Sequence, residues 1–263
     1  MILREPYLSY RPKKIISLVP SITELLSSLD LHEEVIGITK FCIHPPGWLE
    51  NKKKIGGTKN LNLPAIRELQ PDLIIANIEE NERSQVEDLM DDFNIWVTDV
   101  ASLEDAYQMI TDIGQLSGKD NEASKLVKLI RNGFDNLSPV KNPVPTAYFI
   151  WKDPYMVAGG DTFISDMMKR CGFQNFFSNK NRYPEVTIDH LIDETGNNKC
   201  ELILLSSEPY PFKQKHLAEF QKLLPEAKIL LVDGEMFSWY GSRLLEAPAY
   251  FKELIRLLSI VDG

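Results

Sequence analysis

Two apolar stretches along the chain share one pattern. Leu-Gln-Pro-Asp-Leu-Ile-Ile-Ala at 69–76 and Lys-Cys-Glu-Leu-Ile-Leu-Leu-Ser at 199–206 show no alternation of hydrophobic and polar positions, and each is followed by a helical stretch and another apolar strand. A strand without alternation is buried on both faces, which predicts a parallel sheet between helix layers. The pattern therefore predicts an α/β fold of two lobes, each with a mostly parallel sheet flanked by helices, and a ligand cleft between them.

The first lobe is predicted to start with a strand and a helix. Its strands are predicted at 15–19, 35–38, 73–76 and 95–97, with a short helix at 63–69. Ser21 lies at the start of the helix that follows the first strand, and Glu24 comes three positions later. This spacing is that of a capping box, so we expect Ser21 to cap the helix.

A long amphipathic helix is predicted to connect the lobes. Over 121–137 the apolar residues recur every three or four positions and form one stripe. The following segment, 138–145, contains three prolines, which exclude a helix and a central strand. The second lobe's strands are predicted at 146–151, 202–205 and 229–232, and its helices at 162–171, 188–194 and 248–260. The predicted domains are an N-terminal lobe at 1–119, a bridging helix and linker at 120–140, and a C-terminal lobe at 141–263.

Composition and charge narrow the range of partners. The 263 residues are 43% hydrophobic and 25% charged, which is ordinary for a globular protein with a sizeable core. A formal net charge of −9 argues against nucleic acid and anionic membranes, because both require a concentrated basic surface. Cys42, Cys171 and Cys200 are an odd number without a Cys-x-x-Cys spacing, so neither a disulfide framework nor a metal site is predicted. We predict a monomer.

The first residues contain an early acid and a proline in place of the apolar core of a signal peptide, and no later segment has the ~18 apolar residues of a membrane span. As written, the chain is expected in the cytoplasm. A longer native N-terminus would instead place it in the periplasm or at a membrane.

The sequence contains few signs of a catalytic site. The sequence has no His-Glu-x-x-His, Gly-x-Ser-x-Gly or Gly-x-x-x-x-Gly-Lys motif. Of the four histidines, only His44 follows a predicted strand in a loop that would face the cleft. The other three, His32, His190 and His216, are predicted to be solvated side chains on helices or at their edges.

Aromatic residues, in contrast, accumulate after the predicted strands. Ligands of α/β folds bind at the carboxyl ends of the strands, and flat rings offer rigid contact area. The alternative for each ring is a place in the core beneath a loop. Arg182 and Arg243 are predicted either to pair with anionic ligand groups or to form structural salt bridges. The aromatic group is Phe41, Trp48, Trp151, Tyr155, Phe176, Phe177, Tyr183, Phe237, Trp239 and Tyr240.

Four phrases carry a resemblance to a known family. They are Ile-Ile-Ser-Leu-Val-Pro-Ser-Ile-Thr-Glu at 15–24, Pro-Asp-Leu-Ile-Ile-Ala at 71–76, Ala-Gly-Gly-Asp-Thr-Phe-Ile at 158–164 and Cys-Gly-Phe-Gln-Asn-Phe-Phe at 171–177. In this order and spacing the chain resembles the class III solute-binding proteins, or helical-backbone metal receptors, which bind vitamin B12, ferric siderophores or haem for ABC importers. The family fold of two α/β lobes joined by one long helix agrees with the pattern described above.

Within the family the chain is most similar to the vitamin B12-binding branch. Phe41, Phe177 and Tyr183 fall on or beside pocket aromatics of that branch, whereas Thr58 and Asn77 stand where its enterobacterial member has pocket tryptophans. The resemblance implies a cobalamin-like corrinoid as the ligand, with a ferric siderophore or haem as the alternative, and no covalent cofactor. The ligand-binding residues expected are Phe41, His44, Thr58, Asn77, Trp151, Phe177, Tyr183, Trp239, Tyr240 and Arg243.

The resemblance also implies an ABC transporter permease as a partner, docked through one glutamate on each lobe. The first-lobe equivalent is Pro64, with Glu68 one turn away, and no glutamate replaces the second. A cytoplasmic carrier or sensor without a transporter is therefore a second possibility.

His44 carries a sharper hypothesis, that its imidazole is an axial ligand to the metal of the bound chelate. An enzyme acting on a corrinoid or siderophore, with His44 or Glu185 as acid or base, is the alternative in another functional class. A structural interaction protein would instead keep the aromatics buried or covered by a partner chain. The absence of a paired nucleophile and base favours a binding protein over an enzyme.

Overall fold

The computed structural model describes residues 1–191 and 199–259. The chain divides into two compact units, which we call the first and the second unit. The first comprises 1–100, 104–131 and 240–243, and the second comprises 101–103, 132–239 and 244–263. The expected α/β class is confirmed in each unit, because both contain a largely parallel sheet with helices in the connections.

The first unit is built on a five-stranded parallel sheet of order β3-β2-β1-β4-β5. Its strands are β1 (Ile15–Ser17), β2 (Val35–Ile38), β3 (Lys53–Lys54), β4 (Leu73–Asn77) and β5 (Ile95–Thr98). Its helices are α1 (Pro20–Ser28), α2 (Trp48–Asn51), α3 (Leu63–Leu69), α4 (Arg83–Leu89) and α5 (Leu103–Ser117). Every residue of β1 and β4 is buried, as the lack of alternation predicts for strands covered on both faces.

The prediction that Ser21 caps helix α1 is wrong. The helix begins at Pro20, its N-cap is Val19, and no side chain caps it. A proline fits the first helical position because its nitrogen has no hydrogen to satisfy, and its fixed φ is already helical. Glu24, predicted to complete the capping box, instead accepts hydrogen bonds from Arg243.

The second unit has a sheet of order β10-β9-β6-β7, with β8 paired to β6. All pairs are parallel except β6 with β7. The strands are β6 (Val144–Trp151), β7 (Met156–Val157), β8 (Phe173–Asn175), β9 (Leu202–Ser206) and β10 (Lys228–Val232). The helices are α7 (Phe163–Cys171), α8 (Gln214–Leu223), α9 (Gly234–Ser238) and α10 (Ala247–Ser259), with a single 3-10 turn at Ile188–Leu191. A further 3-10 turn, Ser242–Leu245, begins in the first-unit segment 240–243 and ends in the second unit.

Two local features of this unit can be compared with the sequence. The exclusion of 138–145 from a central strand is wrong at its end, because β6 begins at Val144 and includes Pro145. Proline is tolerated near the start of a strand, and the Pro145 carbonyl still accepts a hydrogen bond from Glu201 at 2.8 Å. The helix predicted at 162–171 is confirmed as α7 (Phe163–Cys171). Its N-cap is Thr162, and Gly172, with φ at 82°, ends it.

Helix α6 (Asp120–Asp135) matches the helix predicted at 121–137, and the unit division falls within it, between Arg131 and Asn132. The helix predicted at 188–194 is a single 3-10 turn over its first residues, and its remainder lies outside the described residues, as does position 260. Among the described residues, no helix is long and apolar enough to cross a membrane.

Candidate ligand-binding site

The first carboxyl edge, where β1, β2 and β4 end, exposes apolar side chains. Phe41 and Ile43 follow β2 and are 50% and 52% exposed, and Ile78 follows β4 and is 45% exposed. Exposed apolar groups at the carboxyl ends of parallel strands lie where α/β proteins bind ligands. Sequence reasoning named Phe41 but missed Ile43 and Ile78, because it searched for rings and did not ask which aliphatic residues directly follow a strand.

A glycine supports the exposed position of Phe41. A Cβ atom added to Gly57 would lie 3.1 Å from Cε2 of the Phe41 ring, so the ring packs directly on the glycine backbone. On the ring, the Lys40 ammonium lies 5.1 Å from the centroid, within cation–π distance. The ring is thus held in place while half of the residue's surface stays open.

Asn77 is used inside the first unit. It is 2% exposed, and its Nδ2 donates to the carbonyl and the hydroxyl of Thr98, both at 3.1 Å. Its Oδ1 accepts from the amides of Glu79 at 2.8 Å and Glu80 at 3.2 Å. These bonds satisfy both ends of the amide, so Asn77 holds the turn after β4.

A second buried amide ties Thr58 to this turn. Thr58 is 9% exposed, and its carbonyl accepts from Nδ2 of Asn81 at 3.1 Å. The same Nδ2 reaches the carbonyl of Leu18 at 3.2 Å, and Oδ1 of Asn81 accepts from the Asn77 amide at 2.8 Å. Asn81 therefore joins three loops of the first carboxyl edge, a role for which the sequence offered no sign.

A buried polar cluster fixes the loop after β2. The Thr23 hydroxyl lies 2.8 Å from Oγ of Ser17 and 3.0 Å from Sγ of Cys42, and the Thr39 hydroxyl lies 3.2 Å from the same sulfur. Burial raises the pKa of Cys42, although the two threonine contacts oppose the shift. The thiol therefore stays protonated and anchors the base of the loop that carries Phe41.

Arg243 and Tyr240 belong to a short segment of the first unit. The Arg243 guanidinium binds Glu24 through two hydrogen bonds, Nη2 to Oε1 at 2.6 Å and Nε to Oε2 at 3.2 Å. The two side chains are only 11% and 19% exposed. Arg243 was predicted either to bind an anionic ligand group or to form a structural salt bridge, and the structure shows the salt bridge. Tyr240 is buried, at 5% exposure.

The second carboxyl edge, where β6, β9 and β10 end, holds most of its rings inward. Phe177 is 5% exposed and belongs to the same buried cluster as Phe149 and Phe220. Tyr183 is half-buried, and Phe237, a residue of α9, is fully buried against Phe251 of α10. The burial of these rings therefore agrees better with a place in the core than with a ligand-binding surface.

Trp239 joins a half-buried carboxylate at this edge. Its indole Nε1 donates to Oε1 of Glu208 at 2.9 Å, and the Ser238 hydroxyl donates to the same oxygen at 2.6 Å. Burial raises the pKa of Glu208, and the two donors oppose the shift only in part. Trp239 itself is 7% exposed, so its ring edge is committed to this contact.

Trp151 is the exposed ring of the second carboxyl edge within the described residues. It ends β6, is 40% exposed, and meets Tyr210 edge-on, with ring centroids 5.7 Å apart. Tyr210 follows β9 and was not named from the sequence. The dipeptide before it, Glu208-Pro209, reads as a turn, so a ring held by that turn could have been anticipated.

The exposure of the four histidines differs in part from the prediction. His32 and His190 are exposed or half-exposed as predicted, but His216 is 5% exposed, so its prediction as a solvated residue is wrong. Its imidazole fills a space among the rings of Tyr210 and Phe212. His44 is half-buried in the loop that carries Phe41. In the described part of the chain, no group of three or more His, Cys, Asp or Glu residues is placed to hold a metal ion.

Residues 15–219, from β1 into α8, match the family model described as periplasmic binding protein. The chain belongs to the periplasmic binding protein family. The resemblance drawn from the sequence is thereby confirmed. The prediction of a binding protein rather than an enzyme is confirmed as well, because the family and its named relatives are binding proteins.

Curated relatives match at moderate identity. An uncharacterized ABC transporter substrate-binding lipoprotein of Bacillus subtilis, YvrC, is 26% identical over 69% of this chain, and the match spans 60% of its own length. The vitamin B12-binding protein of Photorhabdus laumondii is 25% identical over 90% of this chain and 85% of its own. That of Vibrio parahaemolyticus is 28% identical over 68% of this chain and 67% of its own.

Solved structures of several binding proteins share the fold. The periplasmic vitamin B12 binding protein BtuF of Vibrio cholerae has a TM-score of 0.75 at 17% identity, covering 94% of this chain and 98% of its own. The periplasmic haem binding protein HutB of the same species has a TM-score of 0.77 at 17% identity, covering 93% and 98%. A possible iron-binding protein of Staphylococcus epidermidis has 0.76 at 23%, covering 95% and 99%.

Proposed function

We propose that this chain is the substrate-binding protein of an ABC-type uptake system and that its ligand is a cobalamin-like corrinoid. Family membership supports a binding role, and the curated relatives named as vitamin B12-binding proteins support the ligand. The observation that carries the proposal is the exposed apolar surface of Phe41, Ile43 and Ile78 at the first carboxyl edge. Apolar side chains exposed at such an edge offer a surface suited to the apolar parts of a macrocycle.

A haem or another iron chelate is the second candidate. The structural relatives include a haem binding protein and a possible iron-binding protein with TM-scores equal to that of the vitamin B12 binder within 0.02. The shared fold thus accommodates all three ligand types. Phe41 and Trp151 each offer exposed, flat conjugated surface that suits a ligand of any of these types.

Parallel titrations test the proposal. The purified protein is titrated with cobalamin, haem and a ferric siderophore, and the visible absorption of each ligand is followed. Saturable binding of cobalamin alone supports the corrinoid assignment, and saturable binding of haem or the siderophore alone moves the assignment to that chelate. A folded protein that binds none of the three would overturn the proposal.

His44 is proposed as an axial ligand to the metal of the bound chelate. Its half-buried imidazole lies three residues after Phe41 on the same loop. In the His44→Ala protein, the visible spectrum of the bound chelate should therefore change. His190→Ala, at an exposed position, is the control. An identical spectrum in the His44→Ala complex would remove the hypothesis.

An ABC permease is the proposed partner. Pro64 and Glu68, the positions considered for docking, are both exposed and lie one turn apart on α3. Reconstitution with a cognate permease should show weaker binding for Glu68→Lys than for the parent chain, and equal binding would exclude Glu68 as the docking residue.

A further inference from the structure

Trp151 and Tyr210 form one face at the second carboxyl edge. Trp151 ends the central strand β6, and the Tyr210 amide donates to the Ile150 carbonyl at 3.2 Å, which holds the segment after β9 beside the end of β6. The Tyr210 ring packs edge-on against the indole, and it also contacts Phe212 at 4.8 Å between centroids. The exposed indole therefore rests on a ring whose own position is fixed by further contacts.

His216 supplies one of those contacts. It is the third residue of α8, and its Nδ1 accepts from the Lys213 amide at 2.9 Å, one of the amide donors that a helix start leaves unpaired. Because Nδ1 accepts, the neutral ring carries its proton on Nε2. That nitrogen lies 3.4 Å from the Tyr210 hydroxyl, so the same ring that caps α8 also positions Tyr210.

Protonation of His216 would break this arrangement. A second proton on Nδ1 would face the Lys213 amide, so that two donors would meet at the start of α8. The charged groups around the imidazole are mostly cationic: Lys213 and Lys215 at the start of α8 and Lys152 after β6, against Glu219 one turn further along α8. Glu219 is itself bound by Lys152 at 2.6 Å and by the Tyr155 hydroxyl at 3.1 Å.

These surroundings keep the imidazole neutral near pH 7. Burial, followed by the charges of Lys215 and Lys152, lowers the pKa of His216 below its ordinary value of 6.5. The change of state therefore falls below pH 6.5.

We propose that Trp151 and Tyr210 form a binding face for the conjugated planar part of the ligand, and that neutral His216 positions this face, so that the ligand is released as the solution becomes acidic. The inference rests on the proposed binding function. Tyr210 is the residue that shapes the face, and His216 is a positioning residue that acts through Tyr210. Binding at acidic pH is weakened without any change in the ligand itself.

The test measures the dissociation constant of cobalamin, haem or the siderophore, whichever binds, between pH 5 and pH 8. The parent protein should lose at least tenfold in affinity towards pH 5. In His216→Asn the amide oxygen replaces Nδ1 as acceptor but does not titrate, so its affinity should be independent of pH. Tyr210→Ala should bind about tenfold more weakly at every pH. Tyr210→Phe keeps the ring but loses the hydroxyl that His216 contacts, so its affinity should no longer depend on pH.

His190→Asn is the matched control, because Nδ1 of His190 accepts from the Thr187 amide at 3.0 Å in the same local arrangement, but His190 is exposed. Its pH profile should equal that of the parent. A parent profile identical to that of His216→Asn, or wild-type affinity in Tyr210→Ala, would overturn the inference while leaving the binding function intact.

A readout without ligand separates the inference from the proposed function. The emission of Trp151, taken as the difference between the parent and Trp151→Phe, should shift with a midpoint below pH 6.5, and this shift should be absent in His216→Asn. If no ligand binds at any pH, the proposed function fails, and this emission alone decides whether His216 positions the face. A Trp151 emission that is unchanged by pH would overturn the positioning role.

Discussion

At the first carboxyl edge, Phe41 stands half exposed over Gly57, whereas at the second, Phe177 lies within the core that also contains Phe149 and Phe220. Phe41 comes three residues after the end of β2, and Phe177 comes two residues after the end of β8. The difference comes from what lies beneath and above each ring. The Phe41 ring lies against the Gly57 backbone and under the Lys40 ammonium, whereas Phe177 belongs to a buried cluster with side chains of the sheet and of α8. An aromatic residue after a strand therefore marks a ligand surface only where the neighbouring elements leave it uncovered.

The largest effect expected from this comparison is on stability. Phe177→Ala should lower the free energy of unfolding by about 3–5 kcal/mol, because it leaves a cavity in a packed core. Phe41→Ala should change it by no more than about 0.5 kcal/mol, as for other exposed positions. Urea unfolding followed by far-UV circular dichroism measures both. Equal losses for the two variants would contradict the assignment of Phe177 to the core.

Asn77 sharpens the contrast at the first carboxyl edge, because it separates a structural polar residue from a ligand contact. Asn77→Ala should cost about 1–3 kcal/mol in unfolding free energy, since it removes the acceptor Oδ1 of the Glu79 and Glu80 amides and the donor Nδ2 to Thr98. Asn60→Ala, at an exposed position in the loop after β3, is the control and should have little effect. A fully stable Asn77→Ala protein that binds ligand poorly would instead make Asn77 a ligand contact.

The ion pair of Arg243 with Glu24 is expected to have an intermediate effect. Arg243→Lys cannot form both hydrogen bonds to the carboxylate, so it should lower the unfolding free energy by about 1 kcal/mol. The reference is Arg256→Lys, where the pair with Glu253 is exposed and the change should be close to zero. Thermal unfolding of the two variants side by side makes the comparison. If Arg243→Lys is as stable as the parent, the pair is not structural.

The smallest effect concerns the charge at the second carboxyl edge. Burial raises the pKa of Glu208, so its contribution to stability is present below pH 4.5 and is lost as the pH rises through the folded-state value. Glu208→Gln should therefore be slightly more stable than the parent at pH 7 and equal to it below pH 4.5.

Glu226 is the control for this pH dependence, because hydrogen bonding to Lys199 lowers its pKa. Glu226→Gln should then show the opposite sign, with a slight loss at pH 7. Unfolding midpoints measured between pH 4 and pH 7 distinguish the two. The assignment for Glu208 fails if both variants move in the same direction.

The hydrophobic pattern was sufficient for the main strands and for several helices. Val35–Ile38 and Leu63–Leu69 form where the apolar runs and their flanking residues predict them. Pro145 shows the limit of a local rule, because its exclusion from a strand ignored that the first positions of β6 need fewer amide donors. Ser21 shows another, since Pro20 had already supplied the start of the helix.

The candidate site was harder to predict than the fold, for a physical reason. Exposure depends on residues distant in the sequence: Gly57 decides the setting of Phe41, and Thr98 and Asn81 engage Asn77. His216 resembles a solvated helix residue by position alone, and only the packing of Tyr210 and Phe212 around it explains its burial. Local spacing does not carry such information.

The central claim is that the exposed apolar side chains of the first carboxyl edge hold a metal-chelate ligand. The most direct test is to measure the dissociation constant of the chelate that saturates the parent protein, in Phe41→Ala and Ile78→Ala. The controls are Tyr7→Ala and Leu129→Ala, which are 71% and 59% exposed but lie away from this edge. We predict about tenfold weaker binding in the two edge variants, roughly 1.4 kcal/mol each, and unchanged binding in the controls. Equal affinity in all four variants would contradict the account.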